Sequence, residues 1–259
     1  MQKSIYNIRQ YQRGVKKNLF VFDFDETITS KNTDTWIHSA LDDGKLPKEV
    51  LDKFISKGQW IDFMQIVFDH MHKQGIKVEQ MKKVQQQIPL VPGMIDVLKN
   101  IKDNDHDAII ISNANNLFID WILEHHNLQD HVKRIFTNPA YVSENGKIEI
   151  SGAHTHECNV CWSNQCKTKS MLNYLDEVSN DKQQQIYDKI SYFGDGINDL
   201  CPILNLDSID FGFCRVGMGL EEAILKIKQD EKQQNQIKCK IIYWQDGKDV
   251  LNAFKQHNL

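Results

Sequence analysis

The chain has 259 residues, of which 41% are hydrophobic and 25% are charged, as is typical of a soluble globular protein. Its formal net charge of -4 argues against binding to nucleic acid or to an anionic membrane surface. No apolar run approaches the ~20 residues that span a bilayer, and the polar start of the chain has no apolar signal region. We therefore expect a cytoplasmic protein. Its cysteines should then be reduced or bound to metal.

A first buried strand is predicted at Leu19–Phe22, and it leads directly into Asp23 and Asp25. Side chains alternate along a strand, so residues two positions apart lie on the same side and their carboxyl groups can converge. The repulsion between two such charges would be offset by a hard divalent cation, by a bound phosphoryl group, or by both. An acidic pair in a solvated turn is the alternative interpretation of this motif when it is considered alone.

The segment from residue 30 to residue 90 contains no clear strand and instead shows three apolar stripes at helical spacing. The stripes are formed by Leu46, Val50, Leu51, Phe54 and Ile55, by Trp60, Phe63, Met64, Val67, Phe68 and Met71, and by Val78, Met81 and Val84. We interpret them as the core of a small helical bundle rather than as a cofactor site, and this bundle could cover a crevice as a lid. The prediction is therefore a catalytic core from residues 1–30 and 91–259, with a helical cap at residues 31–90.

Four later apolar runs also have the length and composition of buried strands. These runs are Ala108–Ile111, Arg134–Thr137, Ile190–Phe193 and Ile209–Phe213. Helical patterns alternate with most of them, which predicts an α/β fold with a doubly wound, mainly parallel, Rossmann-like sheet and helices on both faces. Ligands bind beyond the carboxyl ends of the strands in such sheets, so Asp23, Ser112 and Asp195 could share one crevice.

Phosphoryl transfer needs a nucleophile, a proton donor, and positive charge around the phosphoryl oxygens. The acidic pair and two later residues can supply these groups. Asp23 can be the nucleophile, while Asp25 can protonate the leaving oxygen and then activate the hydrolytic water. Ser112 follows a strand and precedes a helix, so its hydroxyl could bind phosphate oxygens, although capping the helix is the simpler role for an isolated serine. Lys167 opens a helical pattern and could offset the charge of a phosphoryl group, although most lysines are surface residues.

The sequence Gly-Asp-Gly-Ile-Asn-Asp at residues 194–199 follows the predicted strand at Ile190–Phe193. Its glycines permit a tight turn and the close approach of an ion. Asp195 is placed to bind Mg²⁺, and Asp199 could support the site from behind. This motif is the second most specific signal in the chain after the acidic pair.

These motifs occur in the order, and at the strand ends, that the haloacid dehalogenase superfamily of phosphatases shows, and the sequence resembles that superfamily. The resemblance implies that Asp23 is the nucleophile, that Asp25 is the acid and base, and that Ser112 and Lys167 bind phosphate. It also implies a Mg²⁺ ion held by the Asp23 carboxylate, the Asp25 backbone carbonyl and Asp195. The insert would then be a helical cap of the phosphoserine phosphatase kind.

A narrower resemblance covers nearly the whole chain. Residues 32–37, 88–94, 136–139, 154–158 and 194–202 look like the eukaryotic PHOSPHO-type phosphatases, which include phosphoethanolamine/phosphocholine phosphatases and pyridoxal phosphate phosphatases. The sequences Asp-Thr-Trp-Ile at 34–37 and Phe-Ile-Asp-Trp-Ile-Leu at 118–123 look more like the pyridoxal phosphate branch. The resemblance implies a small phosphorylated metabolite as the substrate, with pyridoxal phosphate favoured over phosphoethanolamine and phosphocholine.

The chain departs from this family at one position that bears on the substrate. An acid usually follows the motif serine, whereas this chain has Asn113. In the choline and ethanolamine branch, that acid and the one matching Asp34 are expected to face the substrate amine, so Asp34 and Asn113 are candidate substrate ligands here. Because Asn113 removes one negative charge, attraction of a cationic substrate should weaken, and we expect poor discrimination in favour of phosphocholine.

A cluster of potential metal ligands precedes Lys167 in the sequence. It consists of His154, His156, Cys158, Cys161 and Cys166. The spacing fits a structural zinc site with soft thiolate ligands, but a single pair of cysteines two residues apart is common, and thiols that pack a loop are the favoured interpretation. We interpret the other three cysteines, Cys201, Cys214 and Cys239, as small core hydrophobes.

Other functions remain open at this point. Phosphotransfer to a second acceptor would require a cap that excludes water but admits that acceptor. A catalytically silent binding protein on the same fold would be indicated by the loss of Asp23, Asp25, Lys167 or Asp195, all of which are present. A zinc-organised interaction module would have the histidine and cysteine segment as its centre. The favoured hypothesis is a Mg²⁺-dependent phosphomonoesterase whose partner is a small phosphorylated metabolite, without nucleic acid or membrane.

Overall fold

The structure, a computed structural model, describes residues 12–13, 17–54, 60–179, 184–185 and 187–259. Its strands are β1 (Gln12–Arg13), β2 (Leu19–Phe22), β3 (Asp107–Asn115), β4 (Arg134–Asn138), β5 (Ala140–Val142), β6 (Ile148–Ile150), β7 (Gln184–Gln185), β8 (Ile190–Gly194), β9 (Phe211–Arg215) and β10 (Lys240–Trp244). Its α-helices are α1 (Thr33–Trp36), α2 (Lys48–Leu51), α3 (Trp60–Lys73), α4 (Val78–Gln85), α5 (Met94–Asp103), α6 (Asn116–His125), α7 (Lys167–Val178), α8 (Leu200–Asn205), α9 (Gly219–Gln229) and α10 (Gly247–His257). None of the helices in these ranges is long and apolar enough to cross a membrane.

Six strands form one parallel sheet in the order β10-β9-β8-β2-β3-β4. The chain runs from β2 outward through β3 and β4 on one side, and later through β8, β9 and β10 on the other. The order therefore reverses at β2, and ligands bind at such a switch point, beyond the carboxyl ends of the strands. The predicted α/β fold with a doubly wound, mainly parallel sheet is confirmed.

The alternation of side chains along β2 explains why helices cover both faces of the sheet. Phe20 and Phe22 point to one face, where they pack with Met94, Val97 and Leu98 of α5 and with Val250 and Phe254 of α10. Leu19 and Val21 point to the other face, where they pack with Met171 and Leu175 of α7 and with Leu220 and Ile224 of α9. Burial of each such side chain stabilises the fold by roughly 1.5–3 kcal/mol, so this strand is fixed in place from both sides.

After β2 the chain leaves the sheet, forms the helices α1 to α4, and returns to the sheet region before α5. The two ends of the excursion meet in an antiparallel bridge between Thr29 and Leu90, which closes its base. The apolar face of α3 does not pack on the insert alone, because its core also contains Phe118 and Trp121 of α6 and residues of the β5–β6 hairpin. The division into a core and a cap at residues 31–90 stays a prediction.

Two of the three apolar stripes differ in how well they match the structure. The α3 stripe is buried from Phe63 to Met71, as predicted for a bundle core. The first stripe is only partly right, because Leu51 and Phe54 are 48% and 38% exposed and α2 has only four residues. Ile55 of that stripe lies outside the described residues. A helix this short presents too few turns to bury a complete apolar face.

Candidate active site

The carboxyl end of β2 delivers Asp23 to the switch point. Asp23 is 5% exposed, and its backbone N–H donates to the Phe193 carbonyl of β8 at 2.9 Å. One carboxylate oxygen accepts the Phe24 N–H at 2.6 Å, and the other lies 2.6 Å from Lys167 Nζ. Burial raises the pKa of Asp23 to about 8, and the nearby Asp199 carboxylate adds to this rise, whereas Lys167 opposes it. Additional positive charge at this site would therefore favour the ionised, nucleophilic form of Asp23.

The turn after Asp23 directs Asp25 towards the insert. Glu26 has a positive φ of 54°, and the N–H groups of the following residues return to the Phe24 carbonyl, which makes the turn tight. Asp25 Oδ1 accepts the Thr33 N–H at the start of α1 at 2.9 Å. Burial and the neighbouring Asp34 raise the pKa of Asp25 to about 7. A carboxyl group with such a pKa can carry a proton near neutral pH and can therefore donate it to a leaving group.

Lys167 lies at the first position of α7 and is completely buried. Its Nζ contacts Asp23 Oδ2 at 2.6 Å and Asp199 Oδ1 at 2.7 Å. Burial lowers the pKa of a lysine, but the charges of Asp199 and Asp23 outweigh this effect and raise the pKa of Lys167. The ammonium group therefore stays charged beside the predicted nucleophile.

Asp199 organises the loop after β8 rather than facing the pocket. Its Oδ1 accepts the Lys167 ammonium and also the Tyr192 hydroxyl at 2.7 Å. Its Oδ2 accepts the backbone N–H groups of Asp195 at 3.1 Å and of Gly196 at 3.0 Å. Both oxygens are thus used by the protein itself, which matches the supporting role expected for this residue.

The remaining carboxylates suit a hard cation. Oxygen atoms of Asp23, Asp195 and Asp199 lie within 4.8 Å of one another, and all three residues are buried. Among the described residues, Asp195 Oδ1 accepts only a long hydrogen bond, of 3.3 Å, from Thr27. Burial together with Asp23 and Asp199 raises the pKa of Asp195 well above its usual value. Three buried carboxyl groups face one ammonium, so a divalent cation bound to oxygen ligands would balance the charge. Since Asp199 is committed to hydrogen bonds, Asp23 and Asp195 are the carboxylates that fit such an ion.

Ser112 and Asn113 lie within β3, not after it as we expected. The pairing of β3 with β4 is irregular between Ile111 and Asn115, and irregularities of this kind re-aim side chains next to functional sites. Ser112 Oγ accepts the Ala114 N–H at 3.1 Å, while Asn115 caps α6 by accepting the Phe118 N–H. The alternative in which Ser112 caps the helix is therefore wrong. The helix begins too far along the chain for Ser112 to share its N-terminus.

A cavity of about 330 Å³ opens beside these residues. Its lining includes Asp23, Asp25, Asp34, Ser112, Asn113 and Asp195, so the structure brings these predicted site residues together. Lys167 is not part of the lining and reaches the site through its contact with Asp23. The catalytic, substrate-binding and metal-binding roles assigned to these residues stay predictions.

Two tryptophans form a wall of the cavity, and sequence reasoning missed both as site residues. Trp60 of α3 and Trp162 of the loop before α7 line the cavity with ring centroids 5.8 Å apart. Trp60 Nε1 donates to Asp34 Oδ2 at 2.7 Å, whereas the buried Asp34 Oδ1 has no hydrogen-bond partner in the part of the chain that the structure describes. Burial raises the pKa of Asp34 to about 7. Helical periodicity assigned Trp60 to the core of the insert, which is why it was missed as a site residue. For Trp162, the one sequence signal of a role near the site is its position between Cys161 and Cys166.

We expect Gly194→Ala to disturb this site through Asp199. A Cβ at Gly194 would overlap the Asp199 side chain, so the variant should lose about 1–3 kcal/mol of unfolding free energy and much of its activity. Urea unfolding and phosphate release measure the two effects. Gly152→Ala is a matched control, because its added Cβ would meet Asn164 at an ordinary distance of 3.5 Å. Equal stability and activity of the two variants would contradict the role given to Asp199.

Comparisons with known proteins extend over nearly the whole chain. A model of the family described as "Putative Phosphatase" matches residues 18–257. The chain is 38% identical to "Probable phosphatase phospho2" of Xenopus tropicalis over 92% of this chain and 98% of that protein. It is 36% identical to "Pyridoxal phosphate phosphatase PHOSPHO2" of Homo sapiens, with coverages of 91% and 96%. It is 32% identical to "Phosphoethanolamine/phosphocholine phosphatase" of Homo sapiens, with coverages of 96% and 92%.

Among solved structures, a crystal structure of phosphoserine phosphatase in its apo form is similar to this chain. The TM-score is 0.56, the sequence identity is 15%, and the match covers 92% of this chain and 98% of the other. At this identity the likeness concerns the fold alone. It agrees with the haloacid dehalogenase fold that the motif order implies.

Proposed function

This chain is a phosphatase that belongs to the family described as "Putative Phosphatase", and we propose that it hydrolyses the phosphate monoester of a small metabolite through a phosphorylated Asp23. The observation that carries this proposal is the buried contact of 2.6 Å between Asp23 Oδ2 and Lys167 Nζ. An ammonium group in this place opposes the effect of burial on the Asp23 carboxylate, so it favours the ionised form, and it adds positive charge beside an incoming phosphoryl group.

The reaction proceeds in two displacements at phosphorus. In the first, an Asp23 carboxylate oxygen forms a bond to phosphorus while the bond to the leaving oxygen breaks, and Asp25 donates its proton to that oxygen. In the second, Asp25 takes a proton from a water molecule as the water oxygen attacks phosphorus and the bond to Asp23 breaks. Inorganic phosphate leaves, and both aspartates return to their starting forms. Ser112 Oγ and Lys167 Nζ are the groups that bind the phosphoryl oxygens.

Mg²⁺ is the cation that this proposal places at Asp23 and Asp195, with the Asp25 backbone carbonyl as a third ligand. When it is bound, it supplies positive charge that neutralises the phosphoryl oxygens. The excess of buried carboxyl groups over ammonium groups supports this assignment. The protein contributes two carboxylates, those of Asp23 and Asp195, at the ends of the adjacent strands β2 and β8. The Thr27 hydroxyl donates a hydrogen bond to Asp195 and so helps to hold it in place.

We propose pyridoxal phosphate as the substrate. Trp60 and Trp162 offer flat apolar surface to an aromatic ring, and such pairs of rings attract each other beyond simple burial. Asn113 Oδ1 accepts from Asn198 Nδ2 at 2.9 Å. The buried Asn113 Nδ2 has no hydrogen-bond partner among the described residues, which suits an oxygen acceptor on the substrate. The relative named as a pyridoxal phosphate phosphatase is also more similar than the one named for phosphoethanolamine and phosphocholine.

Phosphoethanolamine or phosphocholine is the second candidate, and one observation favours it. Asp34 is buried beside Trp60, and one of its carboxylate oxygens has no hydrogen-bond partner among the residues described. An acid next to an aromatic face also suits an ammonium group. The neutral Asn113 weighs against it, because a pocket for a cation gains from a second negative charge.

A comparison of kcat/KM for the three phosphate esters tests the substrate proposal. Purified protein with Mg²⁺ should release phosphate from pyridoxal phosphate more efficiently than from phosphoethanolamine or phosphocholine, and chelation of the metal should suppress all three reactions. Phosphate release by Asp23→Asn protein gives the background. Turnover of phosphocholine far above that of pyridoxal phosphate would contradict the assignment.

We expect Asn113→Asp to shift selectivity towards the amine substrates. A unit charge about 4 Å from a cation contributes about 4 kcal/mol at an effective dielectric constant of about 20, which corresponds to an upper bound of nearly 10³-fold because about 1.4 kcal/mol is a factor of ten. Desolvation of the added carboxylate offsets part of this gain, so the ratio of kcat/KM for phosphoethanolamine over pyridoxal phosphate should rise at least about tenfold. The control is Asn113→Leu, which removes the Nδ2 donor as Asn113→Asp does but adds no charge; unlike Asn113→Asp, it also removes the oxygen that accepts from Asn198. An equal rise in both variants would show that charge at this position does not select the substrate.

A further inference from the structure

Four thiols meet at one point next to the active site. The Sγ atoms of Cys158, Cys161, Cys166 and Cys201 lie within 4.8 Å of one another, and those of Cys158 and Cys201 are 3.6 Å apart. All six cysteines of the chain are described and all are free thiols, so these distances do not reflect disulfides. A tetrahedral ion with bonds of about 2.3 Å to sulfur places its ligands about 3.8 Å apart. The distance between Cys158 and Cys201 is close to this value, and the 4.8 Å limit on the other pairs is compatible with it.

The composition of the cluster differs from what the sequence suggested. Cys201, which we interpreted as a core hydrophobe, is its fourth member and comes from α8. The two histidines are not members but support the loop. His154 Nε2 accepts the Cys166 N–H at 3.1 Å, and His156 Nδ1 accepts the Cys158 N–H at 3.1 Å. The ligand set is therefore four sulfurs rather than a mixture of sulfur and imidazole.

The thiols also interact electrostatically. Hydrogen bonds from Cys161 and Cys201 hold the pKa of Cys166 well below its usual value, while the hydrogen bond to Cys166 raises the pKa of Cys161. One thiolate is thus stabilised by its neighbours, but the loss of further protons would bring like charges together. A divalent cation at the centre removes this conflict, because it binds all four sulfurs as thiolates.

We propose that Cys158, Cys161, Cys166 and Cys201 bind one structural zinc ion. Four sulfur ligands in a tetrahedral arrangement are typical of closed zinc sites, which stabilise a fold and take no part in chemistry. None of the four cysteines is among the residues that line the cavity beside Asp23. The site is therefore separate from the oxygen ligands that suit Mg²⁺.

The position of the cluster gives the zinc ion a specific structural role. Cys166 directly precedes Lys167, and Cys201 follows Asp199 by two residues, so the ion links the two chain segments that carry the buried ion pair. Trp162 lies between Cys161 and Cys166, so the same ion fixes a wall of the substrate cavity.

The test measures metal content rather than activity. Protein purified with reductant and dialysed against a chelator should retain about one zinc per chain, and a mercurial thiol reagent should release it, because such a reagent attacks thiolates and not carboxylates. Cys161→Ser and Cys201→Ser should lose the zinc. Cys214→Ser, which changes a buried thiol outside the cluster, should retain it, as should His156→Ala.

Wild-type protein keeps the proposal testable even where the serine variants fold poorly. Addition of Co²⁺ to metal-free wild-type protein should produce a sulfur-to-cobalt charge-transfer band and the strong visible absorption of a tetrahedral ion. Wild-type protein without zinc, with iron in its place, or with disulfides among these cysteines would overturn the proposal. Retention of zinc by Cys201→Ser together with its loss from His156→Ala would overturn the assigned ligand set.

Discussion

Replacement of Asp23 by asparagine should lower the rate of phosphate release by on the order of 10⁴- to 10⁶-fold, as removal of an essential catalytic side chain does in other enzymes. An amide nitrogen or oxygen cannot form the proposed acyl phosphate, although the side chain keeps its size and one of its hydrogen bonds. The rate of phosphate release from pyridoxal phosphate at saturating Mg²⁺ measures the effect. Asp42→Asn, at an exposed position, is the control and should retain wild-type activity.

The stability of the same variant separates loss of chemistry from loss of fold. Because burial raises the pKa of Asp23 from 3.8 to about 8, the native state binds more protons than the unfolded state between these values, and stability falls as pH rises through this window. An uncharged asparagine removes this penalty. The variant should therefore be at least as stable as the wild type at pH 7 in the presence of a chelator. If the variant is unfolded, the nucleophile has to be identified by locating the covalent intermediate in the wild-type protein. A folded and active variant would refute the assignment.

Replacement of Lys167 by methionine should reduce both activity and stability. The loss of a buried charge that neutralises the reacting group costs on the order of 10²- to 10³-fold in kcat, and the removal of one partner of a buried ion pair costs about 3–5 kcal/mol. Methionine nearly matches the length of lysine but leaves Asp23 and Asp199 without their cation. Phosphate release and urea unfolding measure the two losses.

The controls for Lys167→Met separate charge from packing. Lys169→Met makes the same change two residues later on α7, where Nζ is exposed and bonds only the Thr155 carbonyl among the contacts described, and it should have little effect. A second variant, Lys167→Met with Asp199→Asn, removes one of the two uncompensated charges and should regain stability but not activity. Wild-type activity in Lys167→Met protein would show that the ammonium group is not needed beside Asp23.

The proximity of the acidic residues could be predicted from the sequence, because the carboxyl ends of parallel strands lie at the same edge of a sheet. Asp23 and Asp195 follow adjacent strands, so their proximity needs only the order of β2 and β8. Lys167 is different, because it comes from a helix that follows a long loop. Its place beside Asp23 was implied by the resemblance to a known superfamily rather than by periodicity.

Other features depend on packing that local sequence does not contain. Helical spacing shows that Trp60 and Phe63 share a face, but not that one of them lies at the edge of a cavity while the other is buried. The extension of β3 through Ser112 depends on its pairing with β4, which resumes only at Asn115. Cys201 lies with the other thiols because α7 and α8 pack side by side. This contact could not be predicted from the sequence, because Cys201 is far along the chain from the other three cysteines.

The central claim is that Asp23 forms a covalent bond to phosphorus, and the most direct measurement is to locate the phosphorylated residue. Wild-type protein is mixed briefly with substrate and Mg²⁺, quenched with acid and treated with borohydride, which reduces an acyl phosphate to an alcohol. Peptide mass spectrometry should then find the reduced side chain at Asp23, and only after incubation with substrate. Reduction at another residue, or an unchanged Asp23 peptide while substrate is consumed, would contradict the account.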